Sequence, residues 1–252
     1  MVNDEYIDFA DRYDLFYKEF GKHDAKVRNF YKKLFNENQV KSVLDCACGT
    51  GHDLILFESL GCKVVGSDIS ESMLARAKQN LIEYGLSMPL VQLDYRELHQ
   101  NFYKKFDAVV CLYSSIFHMQ DDIEVKKALS SMHQVLRKNG ILILTQGTTD
   151  KQWKEKPRFI LAVNEKDFSR LFVIDYIKKG AIYNVIDIFH RESKSELKVW
   201  SVNYPNILLK DDYKRLLKES GFKKINFYGD YNFEKYNKKK SNLLITVTKR
   251  IN

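Results

Sequence analysis

Between residues 40 and 146, short apolar runs alternate with stretches of helical period. The runs "KSVLDC", "CKVVGSD", "PLVQLD", "FDAVVCLY" and "ILILTQG" are hydrophobic continuously, not at every second position. Among them, "HDLILFESLG", "ESMLARAKQNLIEYG" and "EVKKALSSMHQVLRKNG" read as helices. Strands apolar on both faces and separated by helices predict a parallel sheet covered on both sides. In the second helix Met73, Leu74, Ala77 and Leu81 form one stripe, with Ser70 as N-cap and Gly85 as the stop. In the third, Ala128, Leu129, Met132, Val135 and Leu136 fall at the same spacing, and "KNG" ends it.

The flanks have another character. Tyr6, Phe9, Ala10, Tyr13, Phe16, Tyr17 and Phe20 predict an amphipathic helix with an aromatic face, which serves as packing on the sheet, as a lid over a ligand, or as both. From about Arg158 to Tyr204, β-branched and aromatic residues with turn signals at "NEKD", "KKG" and "RESKSE" predict three or four antiparallel strands. A helix ("KDDYKRLLKESGF"), a strand ("KKINFYGDY") and a last strand ("SNLLITVTK") that re-enters the main sheet complete the pattern. The 252 residues suffice for one large core, so one globular unit is expected over 1–252. Its parts are a helical lid (1–38), a ligand-binding core (40–146), an antiparallel insertion (155–205) and a final helix with two strands (210–252).

Charge changes this picture little. A net charge of +8 permits an anionic partner, but the lysines fall in scattered pairs and one triplet, Lys238 to Lys240. Scattered pairs read as solvated faces, so nucleic acid is not the expected partner. The apolar runs are too short to cross a bilayer and "MVNDEYIDFADRYD" is acidic, unlike a basic signal region, which points to the cytoplasm and away from membranes. Cys46, Cys48, Cys62 and Cys111 lie in or beside strands without the spacing of a zinc knuckle or a thioredoxin-type site, so packing is expected of them and no metal.

The chemistry gathers at strand ends. "VLDCACGTGHD" runs a strand into a glycine turn and a helix N-terminus, where backbone N–H groups can approach a ligand closely. The turn lacks the third glycine of a dinucleotide fingerprint, which disfavours a pyrophosphate. Asp68, at the end of "VVGSD", is placed to accept both hydroxyls of a ribose. Asp94, at the end of "LVQLD", is placed so that its carboxylate or the neighbouring backbone can meet an exocyclic amine. Together these positions suit an adenosine without a pyrophosphate.

The stretches "VLDCACGTG", "VGSDIS", "LVQLDYREL" and "FDAVVCLYSSIFHM" resemble, in order and spacing, the strand-end motifs of class I S-adenosylmethionine-dependent methyltransferases. The resemblance implies an α/β fold with a doubly wound, seven-stranded, mostly parallel sheet whose last strand is inserted antiparallel, with a small antiparallel β insertion. It assigns Gly49 and Gly51 to the methionine moiety, Asp68 to the ribose and Asp94 to the adenine of S-adenosylmethionine, with Asp45 positioning the methionine amino group. Cys46, Ala47, Ile69, Met73, Tyr95, Cys111 and Leu112 are implied as further cofactor contacts. "FDAVVCLYSSIFHM" is similar to stretches in glycine/sarcosine and amino-sugar N-methyltransferases, which places Tyr13, with Tyr17, near the sulfonium. By that similarity Tyr113, Ser114, Ser115 and His118 line the path to a small-molecule acceptor.

In the glycine enzymes an arginine soon after the fifth strand binds the substrate carboxylate, whereas Gly147 aligns there in this chain, which puts glycine as substrate in doubt. Arg158 is a candidate for an anionic acceptor or a surface residue. Trp153, Trp200 and Tyr204 either wall an acceptor pocket or form the core of the small sheet. His118 is either a base toward an amine or a structural hydrogen bonder. The expectation is methyl transfer to an amine nitrogen by in-line displacement, with an O-methyltransferase as the nearest rival and a tRNA-modifying enzyme behind it.

Overall fold

A computed structural model describes residues 4–102 and 106–251. Eleven strands form two sheets. β1 (Ser42–Asp45), β2 (Lys63–Asp68), β3 (Leu90–Gln92), β4 (Phe106–Cys111) and β5 (Leu136–Gln146) run parallel to one another. β6 (Phe159–Asn164), β7 (Phe168–Tyr176), β8 (Ala181–His190) and β9 (Ser195–Tyr204) make a separate antiparallel meander. β10 (Lys223–Tyr228) and β11 (Leu244–Lys249) return to the first sheet, giving the order β10-β11-β5-β4-β1-β2-β3 with β11 antiparallel to both neighbours. The expected fold class therefore holds, down to the inserted last strand. Every residue of β4 is buried, as continuous hydrophobicity requires of a central strand covered on both faces.

The helices are α1 (Ala10–Tyr13), α2 (Ala25–Glu37), α3 (His52–Ser59), α4 (Glu71–Glu83), α5 (Leu98–Asn101), α6 (Asp122–Val135), α7 (Asp150–Glu155) and α8 (Lys210–Glu219). Ser70 caps α4 as expected, its hydroxyl accepting from the Met73 N–H at 3.1 Å. Gly85 follows at φ +67°, the left-handed stop.

Two expectations are corrected. The third core helix ends at Val135, and Leu136 begins β5 opposite Phe106. The Arg250 guanidinium, arriving from beyond β11, donates to the carbonyls of His133, Gln134 and Leu136 at 2.7–3.0 Å, so the free carbonyls at that end are satisfied without another helical turn. The aromatic N-terminal stretch is not one helix from Tyr6 to Phe20 but the four-residue α1 followed by a 3-10 turn, Asp14–Phe16. Long-range bonds hold it open. The Asp14 carboxylate accepts from Arg76 (2.8 Å) and Asn80 (3.0 Å) on α4, and Tyr17 is already extended.

Among the described residues, no helix is long and apolar enough to cross a membrane, and no three His, Cys, Asp or Glu are placed to share a metal ion. The four cysteines are buried thiols.

Candidate active site

The carboxyl ends of β1, β2 and β4 open onto a crevice where strand order reverses about β1, the place where open α/β sheets bind ligands. After β1, Gly49 (φ +51°) and Gly51 (φ +89°) turn the chain into α3. A Cβ on Gly51 would sit 3.4 Å from the Ala77 Cβ, so the turn is packed against α4 and its left-handed backbone favours glycine. The Asp68 carboxylate ties the turn to β2. One oxygen accepts from the Gly49 N–H (2.8 Å), the other from the Ser70 N–H (3.0 Å). Burial raises the Asp68 pKa while those backbone bonds oppose the rise. Each oxygen keeps a lone pair for a further donor, as a vicinal diol requires.

A cavity of about 270 Å3 lies along these groups. Of the residues that the resemblance assigns to the cofactor, Cys46, Ala47, Gly49, Asp68, Ile69, Met73, Asp94 and Tyr95 line it. Asp45, Gly51, Cys111 and Leu112 do not; they stand behind the wall. Asp45 is 2% exposed and accepts from the Ala47 N–H at 3.2 Å, and burial, with Asp53 and Asp68 nearby, pushes its pKa well up. Cys111 and Leu112 are core residues.

The sequence reading did not assign eight of the nineteen residues of the wall to the site. The Arg96 guanidinium donates to Asp94 (Nε at 2.8 Å, Nη2 at 2.5 Å) and reaches Glu124 at 2.6 Å, so the Asp94 carboxylate is held in place before any ligand arrives. Asp4 and Glu5 close the opposite side together with Tyr6. The Asp4 carboxylate accepts from the Ser70 hydroxyl (2.7 Å) and the Ser72 N–H (2.9 Å). Against the burial that raises it, bonds from Ser72, Ser70 and Tyr6 hold the Asp4 carboxyl below its ordinary value. Only Tyr6 had a signal in the sequence, as part of the aromatic stripe; the charged residues have no periodicity to betray them.

A second cavity, about 510 Å3, opens beside the first, and Tyr6, Tyr13, Ser115 and His118 line both. Tyr17, Tyr113, Ser114, Trp200 and Tyr204 also line it. Tyr113 (φ +52°) and Ser114 (φ +70°) are consecutive left-handed residues without a glycine between them. Their N–H groups donate to the Thr145 hydroxyl (3.0 Å) and carbonyl (2.8 Å), which offsets the strain, and such backbones concentrate at functional sites. The Tyr113 hydroxyl donates to Asp53, which is also bonded to His23 at 2.9 Å. Tyr17 stacks on His52 at 3.6 Å.

His118 Nε2 lies 3.0 Å from the Tyr6 hydroxyl, and burial pushes its pKa down to about 4. It is therefore neutral near pH 7 and weakly basic. Phe9 stacks on Trp200 with centroids 4.2 Å apart and planes 2° apart, joining the N-terminal segment to the small sheet.

Two expected site residues lie elsewhere. Arg158 is mostly exposed and pairs with Asp175 at 2.8 Å. Trp153 packs on Tyr176 and under the Lys156 ammonium, outside both cavities. Its neighbour Gln152 faces the second cavity instead, because α7 turns the indole toward the insertion.

The residues lining the first cavity fit S-adenosylmethionine: an acceptor with free lone pairs at Asp68, a glycine turn, and apolar Ile69 and Met73 between them. Residues 43–140 match the family model described as a methyltransferase domain. A glycine/sarcosine N-methyltransferase of Parasynechococcus marenigrum is 39% identical over 149 residues, 58% of this chain and about half (52%) of that relative. One of Aphanothece halophytica is 29% identical over 252 residues, covering 98% of this chain and 90% of the relative. In fold, the chain is similar to an S-adenosylmethionine-dependent methyltransferase from Clostridium acetobutylicum, with a TM-score of 0.77, 17% identity, and coverage of 90% of this chain and 92% of that one. Domain, fold and strand-end cavity agree: residues 43–140 match a methyltransferase domain, and in sequence and fold the chain is similar to S-adenosylmethionine-dependent methyltransferases.

Proposed function

We propose that this protein transfers the methyl group of S-adenosylmethionine to an amine nitrogen of a small-molecule acceptor. The observation that carries this reading is the junction of two cavities of different chemistry at Tyr6, Tyr13, Ser115 and His118. The first has the carboxylates a nucleoside needs; the second carries no formal charge on its wall. Similarity to glycine/sarcosine N-methyltransferases supports nitrogen as the accepting atom.

Bound S-adenosylmethionine supplies an electrophilic methyl group on a sulfonium. The chain's part is placement, which for an in-line displacement supplies much of the rate. In this reading Asp68 accepts the ribose hydroxyls, the Arg96-anchored Asp94 meets the adenine, and the Gly49 turn holds the methionine end, with Asp45 bracing the turn from behind through the Ala47 N–H. Tyr13 and His118 confine the reacting atoms between the cavities. A neutral His118 with a pKa near 4 is too weak a base to deprotonate an ammonium, so it orients the nucleophile as a hydrogen-bond partner. The N-terminal segment covers both cavities and excludes water. The uncharged second cavity favours a small molecule over nucleic acid, and four buried thiols suit a reducing, cytoplasmic setting.

The test is transfer of a labelled methyl group into pools of amines, amino sugars, hydroxylated or carboxylated metabolites, and tRNA, beside an Asp68→Ala control. Label in an amine pool that vanishes in the control is expected. Label confined to a hydroxyl, carboxyl or tRNA pool would sink the amine assignment.

A further inference from the structure

Ten of the residues lining the second cavity are aromatic, and among the described residues none of its wall is Lys, Arg, Asp or Glu. Two guanidinium groups lie behind this wall: Arg170 is fully buried against the Phe16 ring, 4.2 Å from its centroid, and both it and Arg12 pair with Asp187, Arg170 through Nε and Nη2 while its Nη1 is buried without a hydrogen-bond partner. Gly147 lines the cavity with nothing within 4 Å of where a Cβ would stand, so the space there holds no side chain. At about 510 Å3 the cavity lies within the range of roughly 300–1,000 Å3 typical of sites for ligands of drug size, far more than an amino acid as small as glycine fills.

Resting on the methyl-transfer reading above, we infer that the acceptor is a ring-bearing amine with no carboxylate or phosphate, bound as its free base. A carboxylate here would lose its water and find no cation, the costliest outcome for a buried charge. A flat ring finds faces on Tyr6, Tyr13, Phe172, Trp200 and Tyr204. Burial favours the neutral amine before reaction, and the carboxylates touching the wall lie outside it: Asp53 accepts from the Tyr113 hydroxyl, and the mostly exposed Glu5 faces His118 Nδ1 at 3.8 Å. As the amine lone pair forms the N–CH3 bond, the S–CH3 pair stays on sulfur and the positive charge passes to nitrogen. That charge is the one the sulfonium already carried, and cation–π attraction to the aromatic wall offsets part of the cost of keeping it there. A secondary amine gives a protonated tertiary amine, which loses its proton to water on release; a tertiary amine gives a quaternary ammonium with no proton to lose.

The experiment uses the two tryptophans of the chain. A Trp153→Phe protein leaves Trp200, in the cavity wall, as the sole indole. Loaded with S-adenosylhomocysteine, it is titrated with N-methylphenethylamine, sarcosine and 2-phenylethanol, and the wild-type protein is assayed for label transfer to the same three. Expected are a saturable Trp200 change and transfer with N-methylphenethylamine, with kcat/KM at least about 100-fold above sarcosine. The rate should rise with pH toward the acceptor's own pKa. Sarcosine bound or methylated as well as the ring amine overturns the acceptor class while leaving N-methylation standing. Methylation of 2-phenylethanol with the amine inert sinks N-methylation itself. Absence of any Trp200 response and of any transfer to the ring amine overturns the class.

Discussion

Replacing Asp187 by Asn strips the counter-charge from two guanidinium groups at once. Arg170 donates to it through Nε (2.5 Å) and Nη2 (2.9 Å), and the Arg12 guanidinium reaches the same carboxylate from α1. Arg170 and Asp187 are fully buried and the Arg12 side chain is 11% exposed. Losing one partner of a buried pair costs about 3–5 kcal/mol, because the remaining charge has no water to return to. Arg12 relieves its share by swinging out, which would loosen the segment carrying Asp4, Tyr6 and Tyr13 over both cavities. At roughly 2–4 °C per kcal/mol for a chain of this size, Tm should fall by about 6–20 °C. The weaker perturbation, Arg12→Ala, keeps the Arg170–Asp187 pair and should lower Tm by only a few degrees while weakening S-adenosylhomocysteine binding about tenfold or more. Scanning calorimetry with titration of both variants tests the reasoning. An Asp187→Asn protein melting within about 2 °C of wild type would refute the buried triad as the anchor of the segment.

Three further outcomes are expected. His118 and His52, both held near pKa 4 by burial, bind fewer protons folded than unfolded; their stabilising effect is complete above about pH 6.5 and is lost as pH falls toward 4. Unfolding free energies of wild type and His118→Gln from urea titrations should then diverge by on the order of 1–3 kcal/mol between about pH 6.5 and 4, and parallel pH dependences would contradict it. Gly66→Ala would bring a Cβ within 2.8 Å of Leu54, 2.9 Å of Leu90 and 3.0 Å of Cys48, costing about 1–3 kcal/mol by chemical denaturation and weakening cofactor binding through the displaced Cys48 turn. Tyr13→Phe should lower kcat about tenfold with the cofactor Kd nearly unchanged, and an unaltered kcat would remove its hydroxyl from the reaction.

The order of strands and helices, the glycine turn, and the acids at Asp68 and Asp94 were legible in the chain because each is a local signal: a period, a cap, or a residue type at a strand end. The motif stretches carried the donor site for the same reason. What the sequence did not determine depends on residues distant in the chain meeting in space. Arg250 ended a helix more than a hundred positions away, and Asp14 and Arg12 broke an aromatic stripe that by period alone is one helix. Arg96 and Glu124 joined the adenine side, while Arg158 and Trp153 turned out of the site, since hydrophobic period says nothing of where an isolated charge or indole points. The acceptor cavity is the clearest case. Its wall is assembled from the N-terminal segment, the loops after β4 and β5, Gln152 of α7 and the inner face of β6–β9, and its lack of charge exists only once those surfaces close on one another.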